Sequence, residues 1–362
     1  MKRISLKPPK LAFWVRIPAS TLALLGFLLT SLSAASARHA VHIFHADKVW
    51  SVQADGNIEE VPIDFDSGEN EGGVGTTAPV VSPDDRRVAF TKDNDLWIDD
   101  LKSGARQRLT HHGRKSDDTF ASVYVLITGW SADGKQILYN VAHSDAEDPE
   151  GIDPPREIRA VPYGFRILDV ANGGSKAARL AGEFQLWLPD GRFLLTSSDA
   201  DYLHGALMAQ APGQELPDRL TPVRGLWGQA DVSRDGKWLV ASLGQPAPRQ
   251  PDQMEDETAL TSRIVKMDLK NGALTDVTAP GSWSEFQTPR FSPGGARLSW
   301  VRQGEPDASG FASGAVLVDG KEIGTFSMPV EPRWIDDNTL VISHAGGIDV
   351  IQADGKVIIH RS

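Results

Sequence analysis

Trp130-Ser131-Ala132-Asp133-Gly134, followed by the apolar run Ile137-Leu138-Tyr139, is a phrase that the chain repeats. It recurs as Val81-Ser82-Pro83-Asp84-Asp85, as Trp187-Leu188-Pro189-Asp190-Gly191 and as Val232-Ser233-Arg234-Asp235-Gly236. Two more copies are Phe291-Ser292-Pro293-Gly294-Gly295 and Trp334-Ile335-Asp336-Asp337-Asn338. Each opens on a large apolar residue, makes a tight turn and enters a second apolar run. The turn chemistry is physical: Pro pre-sets φ, and Asp, Asn or Gly accept the remaining angles. The second positions of successive copies lie 43 to 59 residues apart.

Each copy is followed by strand signals. Val88-Ala89-Phe90 and Leu340-Val341-Ile342 are second strands; Leu96-Trp97-Ile98 and Ile264-Val265-Lys266-Met267 are third strands. Turns such as Lys102-Ser103-Gly104 lead to a polar fourth strand such as Gln107-Arg108-Leu109-Thr110. Ahead of the first phrase, Val41–Phe44, Lys48–Val52 and Ile58–Ile63 read as the second, third and fourth strands of one more unit. Four short antiparallel strands every ~45 residues is the blade of a β-propeller. The chain is therefore expected to be all-β, with seven blades, or six blades and a supplementary sheet.

These phrases resemble the WD-like repeat of the TolB-like family and of the propeller domains of dipeptidyl peptidases and prolyl oligopeptidases. The resemblance runs from about Val41 to the end of the chain. It implies blade architecture and, from the TolB-like side, export. In the peptidases a separate α/β-hydrolase domain carries the nucleophile. The sequence contains no Gly-x-Ser-x-Gly elbow and leaves no room after the last blade for that domain, so no catalytic residue is assigned. The N-terminal mixed domain of TolB-like proteins likewise has no room here.

The first residues have a different character. Lys2, Arg3, Lys7, Lys10 and Arg16 precede an apolar run from Ile17 to Leu32, which ends in the small-x-small site Ala35-Ser36-Ala37. That order predicts a signal peptide over 1–37, cleaved after Ala37, with 38–362 as the propeller domain. The apolar run is shorter than the ~20 residues that span a bilayer. A monomer in the periplasm or outside the cell is expected, without a membrane span. The net charge of −11 argues against a nucleic-acid partner, which needs a basic face. The absence of cysteine excludes thiolate metal sites and thiol nucleophiles.

No metal and no cofactor are expected. His42 and His45 sit three apart on a strand and point to opposite faces. His111-His112 lacks a third ligand, and the acidic runs Asp64–Glu71 and Asp145–Asp153 lack calcium-loop register. Trp130, Trp187 and Trp334 open the phrase, and Trp97, Trp238 and Trp300 fall on strands, all as core; Trp227 and Trp283 are read as loop residues.

Two readings concern binding. The repeat turns lie on one end of the ring, whereas the long insertions 65–77, 111–122, 142–162, 245–261 and 303–313 all leave from the other. That makes the loop-rich end the expected docking face for a protein, peptide or envelope component. Along the first strands, the residue before the apolar anchor points the opposite way, which gives Asp231, Arg290 and Arg333 on three consecutive blades. These three are the predicted ligand-binding residues, either for an anionic group or as an ion pair lining a wet channel. The alternative functions are a propeller enzyme with a lactonase- or lyase-like channel site, and a peptidase-derived propeller without its catalytic domain.

Overall fold

The computed structural model describes residues 40–65, 78–115, 122–144, 163–197, 205–246, 260–282, 286–304 and 312–362. Those residues form seven antiparallel sheets and no helix. In chain order the sheets are blade 1 (40–61), blade 2 (80–108), blade 3 (114–177), blade 4 (183–224), blade 5 (226–282), blade 6 (286–327) and blade 7 (330–361). The seven-unit reading holds, and the six-blade alternative falls. Blades 2, 4, 6 and 7 have four strands each. Blade 3 gains Arg114–Lys115 beside its first strand Ser122–Trp130, and blade 5 gains Gly281–Ser282 beside its third.

Why the blades stand in a ring follows from where the apolar residues go. Seven apolar clusters occupy the junctions, one per pair of neighbours. Blades 2 and 3 share Ala89 and Leu96 with Val125 and Tyr139, and blades 4 and 5 share Leu194 and Leu207 with Leu239 and Val265. The seventh junction joins the ends of the chain: Val41, Ile43 and Val52 of blade 1 against Val341, Ile348 and Val350 of blade 7. Val52, Val341, Ile348 and Val350 are at most 1% exposed, and each such side chain contributes roughly 1.5–3 kcal/mol. Trp227 belongs to this packing. It lies in the strand Leu226–Val232 at 5% exposure, not in a loop, because that first strand starts earlier than its phrase suggests. Trp283 and most of the run 64–71 lie outside the described residues.

The phrase itself is a hydrogen-bonded unit. Ser82, Ser131 and Ser233 each donate their hydroxyl to the Asp two residues on, at 2.6–2.7 Å. The same hydroxyls accept the backbone N–H of Arg87, Gln136 and Trp238, at 2.9–3.0 Å. In blade 6 the Asp is missing, and Gly294 stands in its place. Asp337 of blade 7 fills the role from outside: it accepts the Gly294 N–H at 2.7 Å and the Ser292 hydroxyl. A Cβ on Gly294 would lie 2.4 Å from Asp337 Oδ2, so any larger residue there makes the Asp337 carboxylate shift. In four copies the last turn position is a glycine at positive φ: Gly134, Gly191, Gly236 and Gly295, at 68–85°. Blade 2 puts Asp85 there, at φ 55°.

Blade 1 is the exception in strand number. Its three strands, Ala40–His45, Lys48–Gln53 and Ile58–Val61, match the second to fourth strands of the other blades. A two-residue hairpin at Ala46-Asp47 mirrors the one at Asp93-Asn94 in blade 2, both with positive φ as a type I′ turn requires. Among the described residues no first strand covers the inner edge of Ala40–His45.

Candidate functional site

The two ends of the ring differ in what leaves them. At one end, every first-to-second and third-to-fourth strand connection among the described blades is a short turn. At the other end, the second-to-third connections 145–163, 197–205, 247–259 and 304–312 are long and belong to blades 3 to 6. Blades 7, 1 and 2 instead close there with the two-residue hairpins 345–346, 46–47 and 93–94. Of the insertions read from the sequence, 142–162, 245–261 and 303–313 fall on second-to-third connections, and 65–77 and 111–122 on the blade-to-blade connections 62–79 and 109–121 of the same end.

The three residues predicted from alternation sit on first strands, and each is engaged by a neighbouring blade. Asp231 accepts the Phe291 N–H of blade 6 at 2.7 Å. Burial pushes its carboxyl up, against the pull of the Arg290 charge and the Phe291 N–H. Arg290 reaches back with Nη1 to the Ala230 and Pro289 carbonyls at 3.3 and 3.4 Å. Gln229 adds a third stitch by accepting the Thr288 N–H at 2.9 Å. Asp231 and Arg290 therefore share the junction of blades 5 and 6.

Arg333 works elsewhere. Its Nη2 meets Asp85 of blade 2 at 2.7 Å, and its Nη1 donates to the His42 carbonyl of blade 1 at 2.6 Å. Asp85 also accepts the His42 N–H at 3.2 Å. His42 lies opposite Ser51, where N–H and C=O face away from the paired strand. An ion pair from blades 7 and 2 thus satisfies both backbone groups at the uncovered edge of blade 1. Burial alone would raise the Asp85 carboxyl, but His42 and Arg333 beside it hold it below the usual carboxylate range. Alternation found Arg333; it could not find Asp85, whose role comes from an unusual residue at a turn position.

A second polar cluster was not foreseen. In blade 7, His344 Nε2 lies 2.7 Å from Asp349 Oδ2, and His360 Nδ1 lies 3.1 Å from Asp349 Oδ1. His344 and Asp349 are buried, whereas the His360 side chain is half exposed. On the other face of the same blade, Ser343 Oγ lies 2.9 Å from His45 Nδ1 of blade 1. Burial, and then the nearby His344, lowers the His45 pKa. His42 and His45 do point opposite ways, to Asp85 of blade 2 and Ser343 of blade 7, as alternation predicts.

The family profile of the dipeptidyl peptidase IV N-terminal region matches residues 54–140. No curated protein matches the chain. Among solved structures, the acylaminoacyl peptidase of Pyrococcus horikoshii is 12% identical with a TM-score of 0.51; the match covers 86% of this chain and 48% of that one, about half its length. TolB from Acinetobacter baumannii is 15% identical at a TM-score of 0.45, covering 95% and 70%. The putative TolB of Agrobacterium tumefaciens is 14% identical at 0.42, covering 89% and 88%. Likeness at these identities concerns the fold alone, and among the described residues no helix is long and apolar enough to cross a membrane. The described residues form a seven-bladed β-propeller, and residues 54–140 are similar to the dipeptidyl peptidase IV N-terminal region.

Proposed function

We propose that the chain is an exported, non-catalytic β-propeller scaffold, a monomer in the periplasm or outside the cell. It binds a protein, peptide or envelope component on its loop-bearing end. The observation that carries this reading is the asymmetry of the ring: short turns at one end, and at the other the long connections of blades 3 to 6. Rigid scaffolds commonly carry their binding residues on such connections. The leader over 1–37 and its Ala35-Ser36-Ala37 site support export. Asp231, Arg290 and Arg333 are the proposed contact for an anionic group of the partner. Arg290, held only by long bonds to carbonyls, keeps the most hydrogen-bonding capacity of the three.

The test is photo-crosslinking in envelope extracts. One probe is placed within 145–163, and the other at the exposed turn residue Lys102 on the opposite end. A defined adduct from the first position and none from the second is the expected result. Adducts from Lys102 alone, or from neither position, would remove the basis for the scaffold reading.

A further inference from the structure

We infer that His344, Asp349 and His360 form a binding site for a divalent transition-metal ion of the zinc type. The backbone already places the three side chains. They come from the consecutive strands Thr339–His344, Gly347–Gln352 and Val357–Arg361 of blade 7. Asp349 stands opposite Ile342 on one side and opposite His360 on the other. His344, two residues beyond Ile342, shares that face. Two imidazole nitrogens and one carboxylate oxygen thus lie within 4.8 Å of one another. Metal–nitrogen and metal–oxygen bonds of about 2.1 Å put ligand atoms roughly 3 Å apart, so only His360, the exposed member, has to move appreciably. Two nitrogens and one oxygen suit zinc, cobalt or nickel; magnesium and calcium prefer oxygen throughout.

The surroundings define the protons. Gly346 donates its N–H to His344 Nδ1 at 3.1 Å, so in the metal-free site the ring proton sits on Nε2 and points at Asp349. Metal binding at Nε2 moves that proton to Nδ1 and releases the Gly346 N–H. Gly346 is exposed at a hairpin tip, where water replaces the lost partner. His360 ligates through Nδ1 and keeps its proton on Nε2 toward solvent. Phe326 of blade 6, with its ring 5.1 Å from that of His344, walls the site on one side. The half-exposed His360 leaves the other side open, with a coordination position for water or for a donor group of a partner.

The experiment titrates ZnCl₂ and CoCl₂ into the untagged mature chain, stripped with a chelator, at neutral pH. One equivalent of saturable zinc binding is expected, together with the intense visible absorption of four-coordinate cobalt. His360→Ala weakens zinc binding by about tenfold or more, and the zinc-induced rise in melting temperature seen in the wild type is lost. His111→Ala, at an exposed histidine of blade 2's outgoing segment, leaves binding unchanged. Zinc also shifts the Gly346 amide resonance, a readout that surface histidines do not produce. Absence of saturable zinc binding, or equal weakening by His360→Ala and His111→Ala, overturns the site. In that case the three residues are a hydrogen-bonded His–Asp–His stitch only.

Discussion

Replacing Arg333 by Gln removes a cation that joins three blades. Two bonds are lost, one of 2.7 Å to Asp85 and one of 2.6 Å to the His42 carbonyl. A hydrogen bond to a charged partner contributes roughly 1.5–3 kcal/mol and a neutral one about 1 kcal/mol. The Arg333 side chain is 38% exposed, so solvent screening reduces the sum, and a net loss of about 2 kcal/mol is expected. For a domain this large, the melting temperature then falls by about 4 °C. Asp85→Asn is expected to cost a similar amount, because its carboxylate is 10% exposed and also holds the His42 N–H. The double variant should lose less than the sum of the two, with a coupling of about 1 kcal/mol. The pH dependence has a definite sign. The folded-state pKa of Asp85 is depressed, so its contribution is full above the unfolded value of about 3.9 and is lost as pH falls through the lower folded value. The gap between wild type and Arg333→Gln therefore closes in acid. Thermal melts of the four proteins at neutral and acid pH provide the data. Strictly additive losses, or a gap that is unchanged in acid, would falsify the ion-pair closure of blade 1. Arg290→Gln, with its 3.3 and 3.4 Å bonds, serves as the contrast and should cost under about 1 kcal/mol.

Further expectations follow from the turns and the leader. Gly294→Ala should destabilise by about 2 kcal/mol, because its Cβ meets Asp337 Oδ2 at 2.4 Å; denaturant unfolding measures this, and a neutral result would mean that Asp337 does not hold the blade 6 turn. The Asp235 carboxyl should titrate near 2, held down first by the Ser233 hydroxyl and then by Lys237, and Ser233→Ala should return it toward about 3.9. Its contribution to stability is present above about 3.9 and lost as pH falls through 2; carboxyl chemical shifts decide the matter. Protein recovered outside the cytoplasm should begin at Arg38 by N-terminal sequencing, and an intact leader in the membrane fraction would reverse the cleavage expectation.

How much of this was legible depends on where each residue's partner lies. The phrase around Ser131 carries its turn, its two hydrogen bonds and its following strand within a few residues, so it predicted every first hairpin. The three leading strands were legible as second to fourth because the Ala46-Asp47 and Asp55-Gly56 turns are local signals. Arg333 was placed on its strand by alternation, but its partner Asp85 lies 248 residues away and no local pattern points to it. The His344–Asp349–His360 cluster escaped for a subtler reason. Counted back from the Ile351–Val357 pair, Asp349 would face Ile359; a bulge between Val350 and Ile351 shifts it onto His360. One inserted residue thus moves His360 to the face of Asp349, and alternation alone cannot see it. Trp227 was misread because its strand runs through a bulge that breaks the phrase's regular spacing.

The borrowed carboxylate in blade 6 bears on how such a ring can change over generations. If each blade carried its own complete turn, blades would be interchangeable cassettes, free to be duplicated, lost or reordered. Blade 6 cannot be moved in that way, because its Gly294 turn is complete only with blade 7's Asp337 next to it. Any transplant that separates the two leaves the Gly294 N–H and the Ser292 hydroxyl without their acceptor. Restoring Asp at position 294 while Asp337 remains sets two carboxylates against each other. The pair can drift only as a pair, and the order of these two blades is written into a single missing side chain.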